Sequence, residues 1–101
     1  MLKFITLSLT ITLILSCQNG ESGHKALNGK EIFKQNCVLC HGIKGDLMTN
    51  GAKNLTLSDL TLEERILVIS KGRNIMTGFE EKLSPIEIQT VAEFTLSLKE
   101  K

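Results

Sequence analysis

The chain has 101 residues, with 12 Lys or Arg and 11 Asp or Glu, so its formal net charge is +1. This balance argues against nucleic-acid binding, because affinity for phosphates comes mainly from an excess of basic side chains. The length suits one domain. With four Phe, no Trp and no Tyr, the chain has few bulky side chains for a core. We therefore expect a disulfide, a metal or a prosthetic group to complete the core.

The N-terminal segment has the pattern of an export signal. Lys3 supplies a positive start, and residues 4–15 are apolar apart from Thr and Ser. The apolar run of about 12 residues is shorter than the ~20 that a membrane-spanning helix needs. We therefore expect residues 1–16 to be a cleaved signal peptide and not a transmembrane helix.

The signal ends in Ile14-Leu15-Ser16-Cys17, which resembles the lipobox of bacterial lipoproteins. Leu15 is larger than the residue usual at that place. Lipid attachment to Cys17 predicts an exported protein anchored to a membrane and facing the periplasm or the cell exterior. The alternative is an ordinary secretory signal, after which Cys17 is a buried thiol.

Residues 17–27 are polar, contain Gly20 and Gly23, and show no apolar periodicity. This composition predicts a flexible tether between the lipid and a folded domain over residues 28–101.

The first helix is predicted to begin after Asn28, with Glu31 completing a capping box, and to run into a cysteine pair. Gly42 and Gly45 mark its exit, and Asn50-Gly51 predicts a turn in the irregular stretch that follows.

Two further helices have clear start signals. Thr61 and Glu64 predict a capping box that opens a helix ending at Gly72, with Leu62, Ile66 and Ile69 on its apolar side. The segment Ser84-Pro85-Ile86-Glu87 predicts the last helix, which should run to about Leu98 and bury Ile88, Val91 and Ala92. No alternating run is long enough to require a sheet, so the predicted fold class is all-α with three main helices.

The strongest chemical signal is Cys37-Val38-Leu39-Cys40-His41. Two cysteines separated by two residues and followed by histidine match the attachment site of a c-type haem. Cys37 and Cys40 would form thioethers with the porphyrin, and His41 would be an axial ligand to the iron. Lipid on Cys17 and haem on this pair would account for all three cysteines.

Three other interpretations compete with haem attachment. A thioredoxin-like dithiol normally lies in a βαβ pattern, which is not visible here. A zinc site would need a fourth ligand, for which only His24 and distant carboxylates are available. The third is a plain structural disulfide beside an incidental histidine.

With this motif in place, the chain from Asn28 onward resembles the class I bacterial cytochromes c, of the short mono-haem type. The matching segments are residues 29–33, 51–55, 72–76 and 84–98. The resemblance implies a fold in which the first and last helices pack together and loops enclose one covalently bound haem. It also implies that Phe33 and Phe94 form the aromatic contact between those helices.

The resemblance further implies that Met76 is the second axial ligand, a soft thioether that favours ferrous iron. Met48 is the competing candidate, His24 is a third, and either methionine could instead fill a gap in the core. Two departures from the family pattern concern prolines. Ala52 follows Gly51 at a place where the family commonly has proline, and the backbone carbonyl there is expected to accept the Nδ1–H of His41. Thr77 follows Met76 at a place where the family usually has proline.

These features predict an electron carrier without enzymatic activity and without a small-molecule substrate. It would pass one electron at a time between membrane-bound donor and acceptor complexes in a respiratory chain. Lys71 and Arg73, just before Met76, would either steer an acidic partner or be ordinary basic side chains of a solvated loop. The alternatives are a gas or peroxide sensor or a peroxidase with an open axial site, and a haem subunit of a larger oxidoreductase complex.

Overall fold

The computed structural model describes residues 28–100, and the predicted signal peptide, Cys17, His24 and the tether lie outside these residues. Within this range no helix is both long and apolar enough to cross a bilayer. The described elements are α1 (Gly29–Asn36), α2 (Val38–His41), α3 (Leu62–Lys71), β1 (Gly72–Arg73), β2 (Met76–Thr77) and α4 (Pro85–Ser97), with 3₁₀ turns at Thr49–Gly51 and Leu55–Leu57.

The caps of the two longer helices agree with the sequence prediction. Thr61 and Glu64 form a reciprocal capping box at α3, and Ser84 and Glu87 form another at α4. Each box satisfies backbone N–H groups that would otherwise lack a partner at a helix start. Gly72 ends α3 in the left-handed region, at φ 82°.

The start of α1 differs from the prediction. Asn28 caps the helix, but its side chain accepts from the N–H of Lys30 and not from that of Glu31. Glu31 lies instead 3.9 Å from the ammonium of Lys34, one turn along the helix. Because the cap hydrogen bond runs to the second helical residue, the predicted capping box was wrong, although the helix begins where expected.

The core lies where α4 crosses α1 and α3. Its buried apolar side chains are Ile32, Phe33, Ile69, Leu83, Ile88, Val91 and Ala92. The rings of Phe33 and Phe94 are 5.2 Å apart between centroids and inclined by 52°, which confirms the predicted aromatic contact. Gly29 permits the close crossing, since a Cβ there would lie 2.7 Å from the carbonyl oxygen of Thr90.

The all-α prediction is confirmed except for one small hairpin. Gly72 pairs with Thr77 and Arg73 with Met76 in an antiparallel two-stranded sheet. Asn74 turns the chain between them at φ 55°. Strands of two residues are too short to produce an alternating pattern, so they could not be predicted from the sequence.

Candidate functional site

The cysteine motif lies at the junction of α1 and α2. Cys37 ends α1, and its N–H donates to the carbonyl of Phe33 at 2.8 Å. The N–H of His41 donates to the carbonyl of Cys37 at 2.9 Å, so one helical turn separates these residues. Gly42, at φ 74°, then ends α2. This turn brings both thiols and the imidazole of the predicted site together on one short segment.

The two thiols differ in environment. Both are free, Cys37 half-buried and Cys40 exposed, so the disulfide interpretation is not realised in this structure. Burial, and to a smaller extent the nearby Cys40, raise the pKa of the Cys37 thiol to about 11, and the positive charge of Lys82 opposes both effects. Cys37 is therefore a protonated thiol at neutral pH in the protein chain alone.

A backbone carbonyl orients His41. Its Nδ1 lies 2.9 Å from the carbonyl oxygen of Lys53. Because a carbonyl can only accept, this hydrogen bond requires the proton on Nδ1 and leaves the lone pair of Nε2 available for a metal.

The residue that supplies this carbonyl differs from the predicted one. The expectation was the carbonyl at Gly51-Ala52, whereas the bond is made one residue later. The 3₁₀ turn places Asn50 and Gly51 at positive φ, and Ala52 then continues in an extended conformation that brings the carbonyl of Lys53 to the imidazole. The prediction of a carbonyl acceptor was correct, and its position was wrong.

Met76 and Met48 occupy different surroundings. Met76 lies in β2, is half-buried and packs against the core, as does Cys37. Met48 precedes the Thr49–Gly51 turn and is 62% exposed. Only Met76 of these two therefore packs on the core, as Cys37 does. Thr77 pairs with Gly72 in the hairpin, so the backbone around Met76 is held by strand pairing at the place where the family has proline.

The surroundings of the motif fit a large apolar cofactor with an iron centre. Half-buried apolar side chains pack on the core without being fully covered by protein, among them Cys37, Val38, Leu55, Leu62, Ile66, Met76 and Phe79. A c-type haem of the carrier type needs two cysteines for thioether bonds to the porphyrin and an imidazole and a thioether for the iron, and Cys37, Cys40, His41 and Met76 are residues of these kinds. Across residues 28–100 no group of three or more His, Cys, Asp or Glu side chains is placed to hold a metal, and His24, the residue named for the zinc alternative, lies outside this range.

The two basic residues before Met76 are not equivalent. Lys71 lies 2.9 Å from the carboxylate of Glu80, so its charge is largely compensated. Arg73 is exposed in β1. Of the predicted steering pair, Arg73 is the one that presents an uncompensated charge in the described part of the chain.

Sequence reasoning missed a buried arginine. Arg65 is only 3% exposed, and its guanidinium donates to the carbonyls of Leu60 and Ser58 and to the hydroxyl of Thr95. Burial lowers the pKa of this guanidinium from its ordinary value, although arginine remains charged. Arg65 thereby fastens the segment before α3 to α4. Its neighbours in sequence gave no signal, because the groups that bind it are mostly backbone carbonyls.

Comparisons with known proteins agree with this geometry. Residues 24–94 match the family model described as cytochrome c oxidase, cbb3-type, subunit III. A cytochrome c6-like protein of Nostoc sp. is 32% identical, in an alignment covering all of this chain and 97% of that protein.

Two further matches concern part of the chain. The cbb3-type cytochrome c oxidase subunit FixP of Bradyrhizobium diazoefficiens is 38% identical over 75% of this chain, which corresponds to 28% of that subunit. The crystal structure of cytochrome c6 from the diatom Phaeodactylum tricornutum superposes with a TM-score of 0.60 and 31% identity, covering 68% of this chain and 87% of that one.

Proposed function

This chain belongs to the small mono-haem class I cytochromes c, and we propose that it passes single electrons between redox proteins outside the cytoplasmic membrane. It carries a covalently bound c-type haem and is an electron carrier, as its cytochrome c6 relatives indicate. The observation that carries the proposal is the helical turn from Cys37 to His41, with the Nδ1–H of His41 engaged by the carbonyl of Lys53.

Four side chains would hold the haem. Cys37 and Cys40 would bind it through thioethers, and His41 and Met76 would be the axial ligands of its iron, giving a low-spin centre. When bound, the haem supplies an iron that alternates between the ferric and ferrous states. The proposal for Met76 is supported by its half-buried place beside the core, in contrast to the exposed Met48.

The other roles belong to the chain itself. The carbonyl of Lys53 keeps the proton on Nδ1 of His41 and thereby raises the basicity of the opposite nitrogen. The thioether of Met76 is neutral and soft, so as a ligand it would favour ferrous iron and raise the reduction potential. Half-buried apolar side chains that pack on the core, such as Val38, Ile66 and Phe79, would exclude water from the cofactor. No substrate bond is made or broken in this function, so we propose that the protein is not an enzyme.

An open-site sensor or peroxidase is separated from a carrier by the ligand state of the iron. We expect the oxidised holoprotein to show the methionine-to-iron charge-transfer band, and the reduced holoprotein to leave its spectrum unchanged under carbon monoxide. A missing band together with carbon monoxide binding would favour the sensor or peroxidase.

We further propose that residues 1–16 are removed and that Cys17 carries the lipid anchor, with residues 17–27 as the tether. The support is the sequence pattern described above. Mass spectrometry of the mature protein should find a diacylglycerol-modified Cys17 at the N-terminus. An unmodified N-terminus after Cys17 or at another residue would refute the anchor without affecting the carrier function.

A second candidate is a haem subunit of a larger oxidoreductase, because the matching family model is that of an oxidase subunit and FixP is a relative. Affinity purification of the tagged protein in mild detergent separates the two. A stoichiometric oxidase complex would support the subunit, and recovery of the cytochrome alone would support the free carrier.

A further inference from the structure

A groove lies on the side of the domain formed by α1, α4 and the loop after α2. Its volume is roughly 490 Å³. The half-buried Phe94 and Leu98 line it together with the buried Phe33, and Ile43, which is 65% exposed, supplies most of its exposed apolar surface. Apolar surface of this kind at the edge of a small domain is typical of a contact surface.

The charged side chains of this groove have one sign. Lys30, Lys34 and Lys44 line it, and no carboxylate does in the described residues. Lys34 forms a long ion pair with Glu31, at 3.9 Å. Both side chains are about half exposed, so solvent strongly screens this attraction. Over residues 28–100, neither Lys30 nor Lys44 has a carboxylate oxygen within 4 Å. The groove therefore presents a positive rim around apolar surface, although the chain as a whole is nearly neutral.

The groove lies next to the point where the chain leaves the described domain toward its N-terminus. Asn28 caps α1, and Lys30 and Lys34 lie in the first two turns of that helix. Residues 17–27 can span at most about 40 Å when fully extended. A lipid on Cys17 would thus keep this face within reach of the bilayer surface at all times.

We propose that the groove binds the anionic phospholipid headgroups of the membrane that holds the anchor, and so fixes which face of the cytochrome meets the bilayer. This inference rests on the lipid anchor of the proposed function. Lysine ammonium groups meet phosphate at the surface, and Ile43 enters the apolar edge of the headgroup layer. A lysine near an anionic bilayer contributes a factor of about five in binding, so three contribute about 100-fold.

The proposal is tested by trace acetylation of lysines in the mature holoprotein on vesicles, with the modified residues read by mass spectrometry. One vesicle type is phosphatidylcholine alone, and the other contains 30% phosphatidylglycerol. We expect Lys30, Lys34 and Lys44 to become several-fold less reactive on the anionic vesicles only, with the protection lost in 0.5 M salt. The exposed Lys71, Lys82 and Lys99 should react equally on both.

Two variants complete the test. In the variant Lys30→Gln/Lys34→Gln/Lys44→Gln, the affinity for anionic vesicles should fall to the affinity for neutral vesicles. The control Lys71→Gln/Lys82→Gln/Lys99→Gln has the same change of charge and should still bind anionic vesicles more tightly than neutral ones. Equal effects of both variants, or unprotected groove lysines on anionic vesicles, would overturn the proposal. Failure of the anchor has a different signature, namely no retention on phosphatidylcholine alone.

Discussion

His41 is fixed by a backbone group, and this makes its orientation insensitive to the side chain at position 53. The Nδ1–H donates to the backbone carbonyl of Lys53. Any residue at this position would supply the same carbonyl, unless it distorted the loop. The family's proline at this loop can therefore be replaced, while the second-sphere hydrogen bond that orients the ligand is kept.

Met76→Ala tests the second ligand. Loss of the thioether should abolish the charge-transfer band, open the iron to carbon monoxide and lower the reduction potential by a fraction of the ~0.8 V range that axial ligands span. Spectroscopy and a redox titration measure these effects. Met48→Ala is the matched control and should change none of them, because Met48 is 62% exposed. A charge-transfer band that disappears in Met48→Ala and persists in Met76→Ala would reverse the assignment.

The pH dependence of alkylation tests the environment of the two thiols in the apoprotein. The pKa of Cys37 is raised to about 11, so its thiolate should appear, and iodoacetamide should modify it, only as pH approaches that value. The exposed Cys40 should react at lower pH. Because folding raises this pKa, the folded apoprotein should also lose stability as pH rises from about 9 to 11. The same rate for both cysteines at pH 8 would contradict the burial of Cys37.

At the scale of elements, the crossing of α1 and α4 depends on a missing side chain. In Gly29→Ala the new Cβ would lie 2.7 Å from the carbonyl oxygen of Thr90 and 2.8 Å from the Cβ of Phe94. We expect a loss of about 1–3 kcal/mol from overpacking, despite the better helix propensity of alanine. Guanidinium unfolding measures it, with Gly51→Asn as control, since Gly51 has open space around it and Asn tolerates its positive φ. Equal stability of Gly29→Ala and the wild type would show that the helices can separate at no cost.

Arg65 makes the corresponding contribution between α3 and α4. Arg65→Met keeps the apolar stem but leaves the carbonyls of Ser58 and Leu60 without this donor, so we expect a loss of about 2–4 kcal/mol. Arg73→Met is the control on an exposed residue and should stay within about 0.5 kcal/mol of the wild type. The unfolding midpoints of both variants, compared with that of the wild type, measure these losses of stability. An unchanged midpoint for Arg65→Met would show that water replaces the hydrogen bonds of Arg65.

The elements that the sequence predicted are those with local signals. The capping boxes of α3 and α4 and the glycine ends lie within a few residues of each other, so the pattern alone locates them. The β1–β2 hairpin, the partner of His41 and the burial of Arg65 depend on backbone groups brought together by the tertiary fold. Backbone carbonyls are identical in every residue, and no sequence pattern distinguishes which one will face a side chain.

At the scale of the whole molecule, a short chain with few bulky residues leaves part of its apolar surface uncovered. Several apolar side chains that pack on the core, Cys37 and Met76 among them, are only half-buried. A covalently held porphyrin would cover this surface and add to the core that the chain itself lacks. Cofactor binding and folding are therefore expected to be coupled in this protein.

The central claim, covalent attachment of one haem through Cys37 and Cys40, is tested most directly by extraction of the mature protein with acidified organic solvent, followed by a pyridine haemochrome assay. The protein should be produced in a host with cytochrome c assembly machinery. We expect the colour to stay with the polypeptide, one haem per chain, and a haemochrome spectrum of the c type. A colourless protein, or pigment that passes into the organic phase, would contradict the account.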